Sequence, residues 1–169
     1  MVSVDEPTRV EEYDPAWPEQ FAGEAARLEQ GLAHIFVAVE HIGSTTVAGL
    51  ASKPVVDIMV GVADLDASEE LARRFEELGY EDCGGAHDRR YFRKRGHEPH
   101  YNVQAIEHGS PTWRANVLFR DFLRADAHAA ERYAEAKRSA ARDAPSLLAY
   151  SARKARKIEE LLRQAGVGS

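Results

Sequence analysis

Apolar residues change from helical spacing to strand-like runs along the first third of the chain. The first set fits one face of a helix that ends near Gly31, and its members are Trp17, Phe21, Ala25, Leu28 and Leu32. The run at residues 35–39 is β-branched and aromatic, which is typical of a buried strand. Residues 43–54 are rich in Gly, Ser, Thr and Pro and predict a long loop, and long loops are more often functional than idle.

The remaining pattern predicts a few more strands and then only helices. Residues 55–62 indicate a second buried strand, residues 68–79 a helix, and three short strands are expected near 80–83, 90–94 and 101–106. From Ser110 onward the pattern is helical, with segments around 113–123 and 127–142 and a last one between Pro145 and Gln164. The fold class expected is therefore α+β (α/β), a β-sheet flanked by helices with a helical C-terminal third.

The composition is ordinary for a globular protein in a reducing compartment. No apolar run is long enough to span a bilayer, and the N-terminal residues lack the pattern of a secretory signal. The single cysteine, Cys83, excludes an internal disulfide framework. We therefore expect a cytoplasmic protein without a membrane partner.

The net charge of −6 conceals an uneven distribution. Residues 110–169 hold 12 Lys/Arg and 7 Asp/Glu, so acids dominate the part before them. The Lys and Arg residues of this C-terminal part alternate with acids along predicted helices, which is typical of solvated helix faces. Nucleic acid is therefore not a favoured partner. The exception is segment 89–95, with five cations in seven residues. Its density suits a small phosphorylated ligand, and RNA binding is the weaker alternative.

The turn that begins at Gly43 has the composition of an anion cradle. A predicted strand ends there, and three hydroxyl residues follow at positions 44–46. Glycine lets the backbone approach a ligand, and successive N–H groups with hydroxyls bind phosphate oxygens well. No Gly-Lys-Ser/Thr follows at the spacing of a Walker A loop. Taken alone, such a turn is weak evidence for a ligand site, and an ordinary loop is the favoured alternative.

A single acid, Asp57, interrupts the second apolar strand, four residues after Lys53. Because burial of an unpaired carboxylate is costly, Asp57 needs a metal, Lys53, an arginine or backbone donors as its partner. One interpretation is a salt-bridged core residue. The other is a carboxylate at a strand end that holds Mg²⁺ against a triphosphate.

Several motifs together resemble the GrpB-like family, which belongs to the wider nucleotidyltransferase superfamily. They are YDPAWPEQF, VEHIGSTTVAGLASKPVVDIMVGV, YFRKR, FRDFLRA and two Y-x-x-x-K pairs at 133–137 and 150–154. The resemblance implies a mixed sheet with the Gly-Ser loop over its end and helices around it. No repeat or linker divides the chain, so we expect one domain over residues 1–169 with its core at about 13–163.

The nucleotidyltransferase pattern is only partly present. The resemblance assigns Gly43 and Ser44 to the Gly-Ser turn and Asp57 to the first of two acids, but the second acid position is Met59. The later strand carries Asn102 where relatives are expected to have histidine. These departures weaken a standard two-metal transfer and leave a single-metal site, or a nucleotide site that binds without transfer.

Other residues are candidates to complete a catalytic metal site. Glu40 and His41 point to opposite faces of a regular strand, so only one of them faces Asp57 and His100. Such a mixed cluster suits Mn²⁺, Fe²⁺ or Zn²⁺ better than Mg²⁺. We expect Asp57, Glu40 and His100 as metal ligands and catalytic residues, with His100 or Glu40 as general base. A structural, hydrogen-bonded histidine is the alternative.

The residues expected to contact nucleotide or phosphate combine the turn with cations from segments that match the family. They are Gly43, Ser44, Thr45, Lys53, Arg93, Arg120 and Lys154. Arginine presents a planar fork to phosphate and lysine a point charge. Arg120 and Arg124 are four residues apart and share one helix face. For any single cation, a surface ion pair is the alternative.

Two functions follow from these residues. The leading one is a nucleotide- or phosphate-binding protein with nucleotidyltransferase chemistry on a small molecule, using a nucleoside triphosphate and Mg²⁺ or Mn²⁺. The alternative is a non-catalytic accessory domain that assists a partner enzyme. The resemblance gives that alternative a concrete form, because relatives occur fused to dephospho-coenzyme A kinase.

Overall fold

The computed structural model describes residues 9–143, 156–157, 159–164 and 166. The helices are α1 (Trp17–Leu32), α2 (Ser68–Glu77), α3 (Pro111–Ala125) and α4 (Ala127–Asp143). The strands are β1 (Phe36–Ile42), β2 (Val55–Val62), β3 (Glu81–Ala86), β4 (Arg89–Lys94) and β5 (His100–Glu107). Of the predicted last helix, 156–157 and 159–164 are helical, and its other residues lie outside the described part.

The five strands form one mixed sheet in the order β1-β2-β5-β4-β3. β2 and β5 are parallel neighbours at its centre, and every other neighbouring pair is antiparallel. In this arrangement β1 and β4 end at the same end of the sheet where β2 and β5 begin. The loop 43–54 and the connection 95–99 therefore meet at that end, although they are far apart in sequence.

The first face of the sheet carries the main apolar core, under α1 and α2. Leu28 and Leu32 of α1 are fully buried against β2, as the helical spacing predicted. Phe75 of α2 stacks on Phe92 of β4 with ring centroids 3.9 Å apart. Each such side chain stabilises the fold by about 1.5–3 kcal/mol through burial, and together they fix α1 and α2 on this face.

The second face of the sheet is partly covered by α3. Trp113 of α3 packs on Ile42, Met59 and Ile106. Gly61 leaves space for the Trp113 indole, because a Cβ atom at position 61 would lie 2.9 Å from the ring. Met59, which stands where a second acid was sought, is thus a fully buried core residue.

The predicted α+β class, with a sheet flanked by helices, is confirmed. The bounds predicted for β2 are those observed, whereas the strand expected at 80–83 extends to Ala86. Within the described residues, the helices are all too short or too polar to cross a membrane.

Candidate functional site

The chain turns sharply at Gly43, between β1 and a single 3₁₀ turn at Ser44–Thr46. Gly43 has φ +73°, a conformation that residues with a side chain rarely adopt. A Cβ atom at Gly43 would lie 2.6 Å from Oδ2 of Asp57. The turn therefore passes directly against the Asp57 carboxylate, and glycine is required there both for conformation and for space.

Asp57 belongs to a row of polar side chains that crosses three neighbouring strands. It pairs with Asn102 in the β2–β5 ladder, and Asn102 pairs with Arg93 in the β5–β4 ladder. Register partners point to the same face of a sheet, so the acid, the amide and the guanidinium are neighbours. His100 lies on this face as well, two residues before Asn102. Arg93 is only 7% exposed and forms an ion pair of 3.5 Å with Glu81.

These residues define what we call the polar edge: Gly43, Lys53, Asp57, Arg93, His100 and Asn102. Lys53 belongs to it because it lies just before β2, and its carbonyl accepts a 2.7 Å hydrogen bond from the Val55 N–H. Asp57, His100 and Asn102 are half-buried. The fold thus brings five of the predicted site residues to one end of the sheet. Lys154 lies outside the described residues.

Two hydroxyls of the turn hold it to the protein interior. The Ser44 and Ser52 hydroxyls are hydrogen-bonded at 2.9 Å, which joins the two ends of the loop. The Thr45 hydroxyl lies 2.9 Å from Nε2 of His41. Both turn residues are buried, with Thr45 fully so. Their predicted contact with phosphate stays a prediction, and their observed role is to stabilise the turn.

Arg124 holds the end of the same turn from α3. Its Nε donates a 3.1 Å hydrogen bond to the Thr46 carbonyl, and its Nη2 donates to the Thr46 hydroxyl. The sequence identified Arg124 only as the helix-face neighbour of Arg120. The structure shows that it fixes the backbone of the turn.

His41 supports the turn from the opposite side of β1. Its imidazole is 6% exposed and stacks on Phe21 of α1, with ring centroids 4.6 Å apart. Burial, together with the charges of Arg124 and Arg120, lowers the pKa of His41 from 6.5 to about 4. The imidazole is therefore neutral near pH 7. Of the two alternatives on β1, Glu40 shares the face of Asp57, and His41 faces α1.

Arg120 contacts Glu40 rather than the polar edge. Its Nη1 donates to Oε2 of Glu40 at 2.6 Å and to the His41 carbonyl at 3.3 Å. The Arg120 side chain is 11% exposed and the Glu40 side chain 38%, so the guanidinium is the better shielded partner of this ion pair. It joins α3 to the end of β1. The Nε of Arg120 also donates to Oδ1 of Asp121 at 3.0 Å. Arg120 as a phosphate ligand and Glu40 as a general base both stay predictions.

The three predicted metal ligands share a face but do not converge. Glu40 is opposite Met59, and His100 is opposite Val55, on either side of Asp57 along β2. From strand spacings of about 4.8 Å and a rise of about 3.3 Å per residue, the Cα atoms of Glu40 and His100 are roughly 16 Å apart. Two side chains cannot ligate one ion across that distance. No group of three or more His, Cys, Asp or Glu side chains in the described residues is arranged to hold a metal.

Residues 89–94 of the basic segment 89–95 form strand β4 within the sheet, and not a projecting basic loop. Most of its cations contact acids: Arg89 with Asp88, Arg90 with Asp82, Arg93 with Glu81 and Lys94 with Glu24. A cation that is already paired contributes little to attracting a polyanion. The geometry that would have favoured RNA binding is absent from this described segment.

For His41 a structural, hydrogen-bonded role was one of the alternatives, and strand alternation placed it opposite Glu40. The structural contacts of Ser52 and Thr46 were not found from the sequence. Thr46 was noted only as one of three hydroxyl residues after Gly43, and no local pattern distinguished Ser52. Their partners are fixed only when the loop closes against β1 and α3.

The fold and site together define an α+β protein with a mixed five-stranded sheet, in which a glycine turn lies against a strand carboxylate. Residues 7–164 match the family model described as GrpB protein. The chain belongs to the GrpB family.

Solved and curated relatives agree with this assignment. The crystal structure of conserved protein GrpB from Enterococcus faecalis superposes with a TM-score of 0.79 at 35% identity, over 93% of this chain and 99% of that one. The UPF0157 protein YqkA of Bacillus subtilis is 34% identical over 79% of this chain and 39% of its own length. Dephospho-CoA kinase of Mycobacterium bovis is 33% identical over 85% of this chain and 42% of its own length. This chain thus spans less than half of those two curated relatives.

Proposed function

We propose that this GrpB-family protein binds a small phosphorylated ligand, in particular a nucleotide, at the polar edge. The observation that carries the proposal is the row Asp57–Asn102–Arg93, in register on three strands beside the Gly43 turn. Ligand sites commonly combine a few oriented polar groups with a rigid scaffold. The nucleotidyltransferase-like sequence pattern at Gly43, Ser44 and Asp57 supports the same location.

The polar edge divides naturally into cationic and hydrogen-bonding parts. Lys53 and Arg93 supply positive charge for phosphate oxygens. Arg93 is paired with the exposed Glu81 at 3.5 Å, and in this proposal phosphate oxygens displace that carboxylate and bind the planar guanidinium fork. Asn102 lies beside Arg93, with Asp57 on its other side, and the two supply hydrogen-bond groups for sugar hydroxyls or base amino groups. Gly43 has no side chain, so a ligand on the loop side approaches the backbone of the turn closely.

A divalent ion fits the polar edge as a companion of the nucleotide. Mg²⁺ is commonly held by one or two carboxylates together with substrate phosphates, and Asp57 is the one carboxylate of the polar edge. Met59 at the second acid position adds no ligand. Of the polar-edge residues, His100 has the chemistry of a general base, so any transfer to an acceptor would use it. Binding is the primary proposal, and transfer is a separate question.

Calorimetry and thermal unfolding with ATP, GTP, CTP and UTP test the proposal, each with Mg²⁺, Mn²⁺ or EDTA. A nucleotide at 100 times its Kd should stabilise the protein by about 2.7 kcal/mol. Arg93→Lys keeps the charge and removes the fork, so we expect about tenfold weaker binding. The matched control is Arg73→Lys on α2, where the arginine is 58% exposed and pairs with Glu77.

Two results would reject nucleotide binding at the polar edge. One is the absence of stabilisation by all four nucleotides under every metal condition. The other is equal affinity in the Arg93→Lys and Arg73→Lys proteins. If binding is unchanged by Asp57→Asn in the presence and absence of Mg²⁺, Asp57 is a structural residue.

A second candidate function is assistance to a partner enzyme. It is favoured by the match to dephospho-CoA kinase, of which this chain aligns with 42% of the length. The larger remaining part of that kinase lies outside the alignment, so in the relative a segment like this chain is joined to further sequence. We propose that this chain, if accessory, acts on such a partner in trans.

The accessory function is tested with the kinase relative from which the matching segment has been deleted. The truncated kinase is refolded with this protein or with an equal mass of serum albumin, and the recovered kinase activity is measured. Accessory action predicts a higher yield with this protein that persists in Arg93→Lys. Equal recovery with albumin rejects it.

A further inference from the structure

A cleft lies behind the Gly43 turn, between the loop and the α3–α4 corner. It has a volume of about 460 Å³. One wall is the loop segment 46–50, and the other is formed by the end of α3 and the first turns of α4. None of the polar-edge residues lines it, so it is a different place on the protein.

Arg124 lines this cleft with part of its hydrogen-bonding capacity unused. Nε and one N–H of Nη2 are directed to Thr46. A guanidinium has five N–H donors, so the fork between Nη1 and Nη2 is left for another acceptor. Among the described residues no carboxylate lies within ion-pair distance of Arg124. Because Thr46 holds the guanidinium in place, the fork is oriented before any ligand arrives.

The other walls of the cleft determine what kind of anion fits. Most of them are apolar, with Val47, Leu50 and Leu123 buried beside small alanines of α4. Glu131 also lines the cleft and is exposed, which disfavours a ligand with two negative charges. One guanidinium fork beside apolar walls, with Glu131 opposing any second negative charge, matches a single carboxylate that carries a short branched hydrocarbon chain.

We propose that this cleft binds a small apolar monocarboxylate, with its carboxylate on the Nη1–Nη2 fork of Arg124 and its chain against Leu50 and Leu123. The ligand shares Arg124 with Thr46, and so contacts the residue that fixes the Gly43 turn. The inference does not depend on nucleotide binding, since the two sites use different residues.

The probe is 3-methylbutanoate, followed by ¹H–¹⁵N NMR of the full chain. Saturable shifts are expected at Ala48, Gly49 and Ala127 with a Kd below about 10 mM, because the site offers one charged fork and a small apolar surface. Arg124→Gln should weaken binding about tenfold or more, through loss of a charge-assisted bidentate contact. Ala48→Phe should abolish binding, because Ala48 is an exposed lining residue and the ring would fill the cleft.

Ala48→Phe leaves the Arg124–Thr46 contact in place, so it separates occupancy of the cleft from damage to the turn. The proposal is overturned if the shifts do not saturate, or if Ala48→Phe binds as well as the unmodified protein. It is also overturned if 3-methylbutan-1-ol or inorganic phosphate produces the same shifts at the same concentration. The alcohol tests whether binding requires a negative charge, and phosphate tests whether the anion must be a carboxylate.

Discussion

Gly43 and Asp57 are in such close contact that a methyl group at Gly43 would lie 2.6 Å from the Asp57 carboxylate oxygen. The contact joins the end of β1 to the start of β2 at the point where the candidate site begins. It also places two separate demands on position 43, a positive φ and the absence of a Cβ atom. The two demands can be measured independently.

Gly43→Ala should destabilise the protein by more than the usual cost of a positive φ. The conformational strain alone amounts to about 1 kcal/mol, and the contact with Asp57 adds a further loss of about 1–3 kcal/mol from overpacking. Gly49→Ala is the matched control, since Gly49 has φ +78° and its missing Cβ would meet nothing within 4 Å. Urea unfolding measures both variants. Equal losses would mean that the Asp57 contact relaxes without cost.

The Glu40–Arg120 pair should contribute much more than an exposed ion pair. Glu40→Gln leaves the largely buried Arg120 guanidinium with Asp121, which is 55% exposed, as its remaining ion-pair partner among the described residues, and we expect this to cost about 1–3 kcal/mol. Glu77→Gln is the control, because its partner Arg73 is exposed and such pairs are worth about 0–1 kcal/mol. Unfolding free energies of both variants decide the point. A loss for Glu40→Gln no larger than the control would show that Asp121 and water together stabilise the Arg120 guanidinium.

The sequence predicted the elements well because their signals are local. The bounds of β2 and the turn at Gly43 follow from apolar runs and from glycine, which need only neighbouring residues. The position of Asp57 at a strand end was predictable for the same reason. The contacts that hold the site together were not predictable from the sequence. Arg124 and Thr46 are 78 positions apart, and no spacing rule connects them.

The predicted metal set shows the same limit. Alternation correctly placed Glu40 and His41 on opposite faces of β1, but the distance between Glu40 and His100 depends on strand register. Register is set by the pairing of whole strands, and it separates Glu40 from His100 by four positions along the sheet. The choice of Arg120 as the partner of Glu40 depends further on how α3 packs on the sheet.

Tyr80→Phe should cost about 1.5–3 kcal/mol, as expected for a hydrogen bond to a charged group. The Tyr80 hydroxyl donates a 2.9 Å hydrogen bond to Glu24, whose side chain is 6% exposed and also accepts from Lys94. Tyr101→Phe is the control, because its hydroxyl lies 3.4 Å from the Gln20 carbonyl and loses a longer, neutral contact. Chemical unfolding at pH 7 compares the two. Equal losses would indicate that Lys94 alone satisfies Glu24.

The last prediction concerns the acid sensitivity of the turn. His41 has its pKa lowered to about 4 by burial and by the charges of Arg124 and Arg120. Between that value and 6.5 the unfolded chain binds the proton and the folded protein does not. The contribution of His41 to stability is therefore complete above pH 6.5, is lost as the pH falls from 6.5 towards 4, and changes no further below that range.

His41→Phe should remove this pH-dependent part, because phenylalanine keeps the stacking on Phe21 and cannot be protonated. The unfolding free energy of the unmodified protein should fall relative to His41→Phe by about 2–3 kcal/mol between pH 7 and pH 4. Urea unfolding at half-unit pH steps measures the difference, which cancels the carboxylates that titrate in both proteins. His128→Phe, at an exposed position of α4, controls for the substitution itself. A difference curve without slope across this range would show that His41 takes up its proton in the folded protein, and that Thr45 and both arginines accommodate the charge.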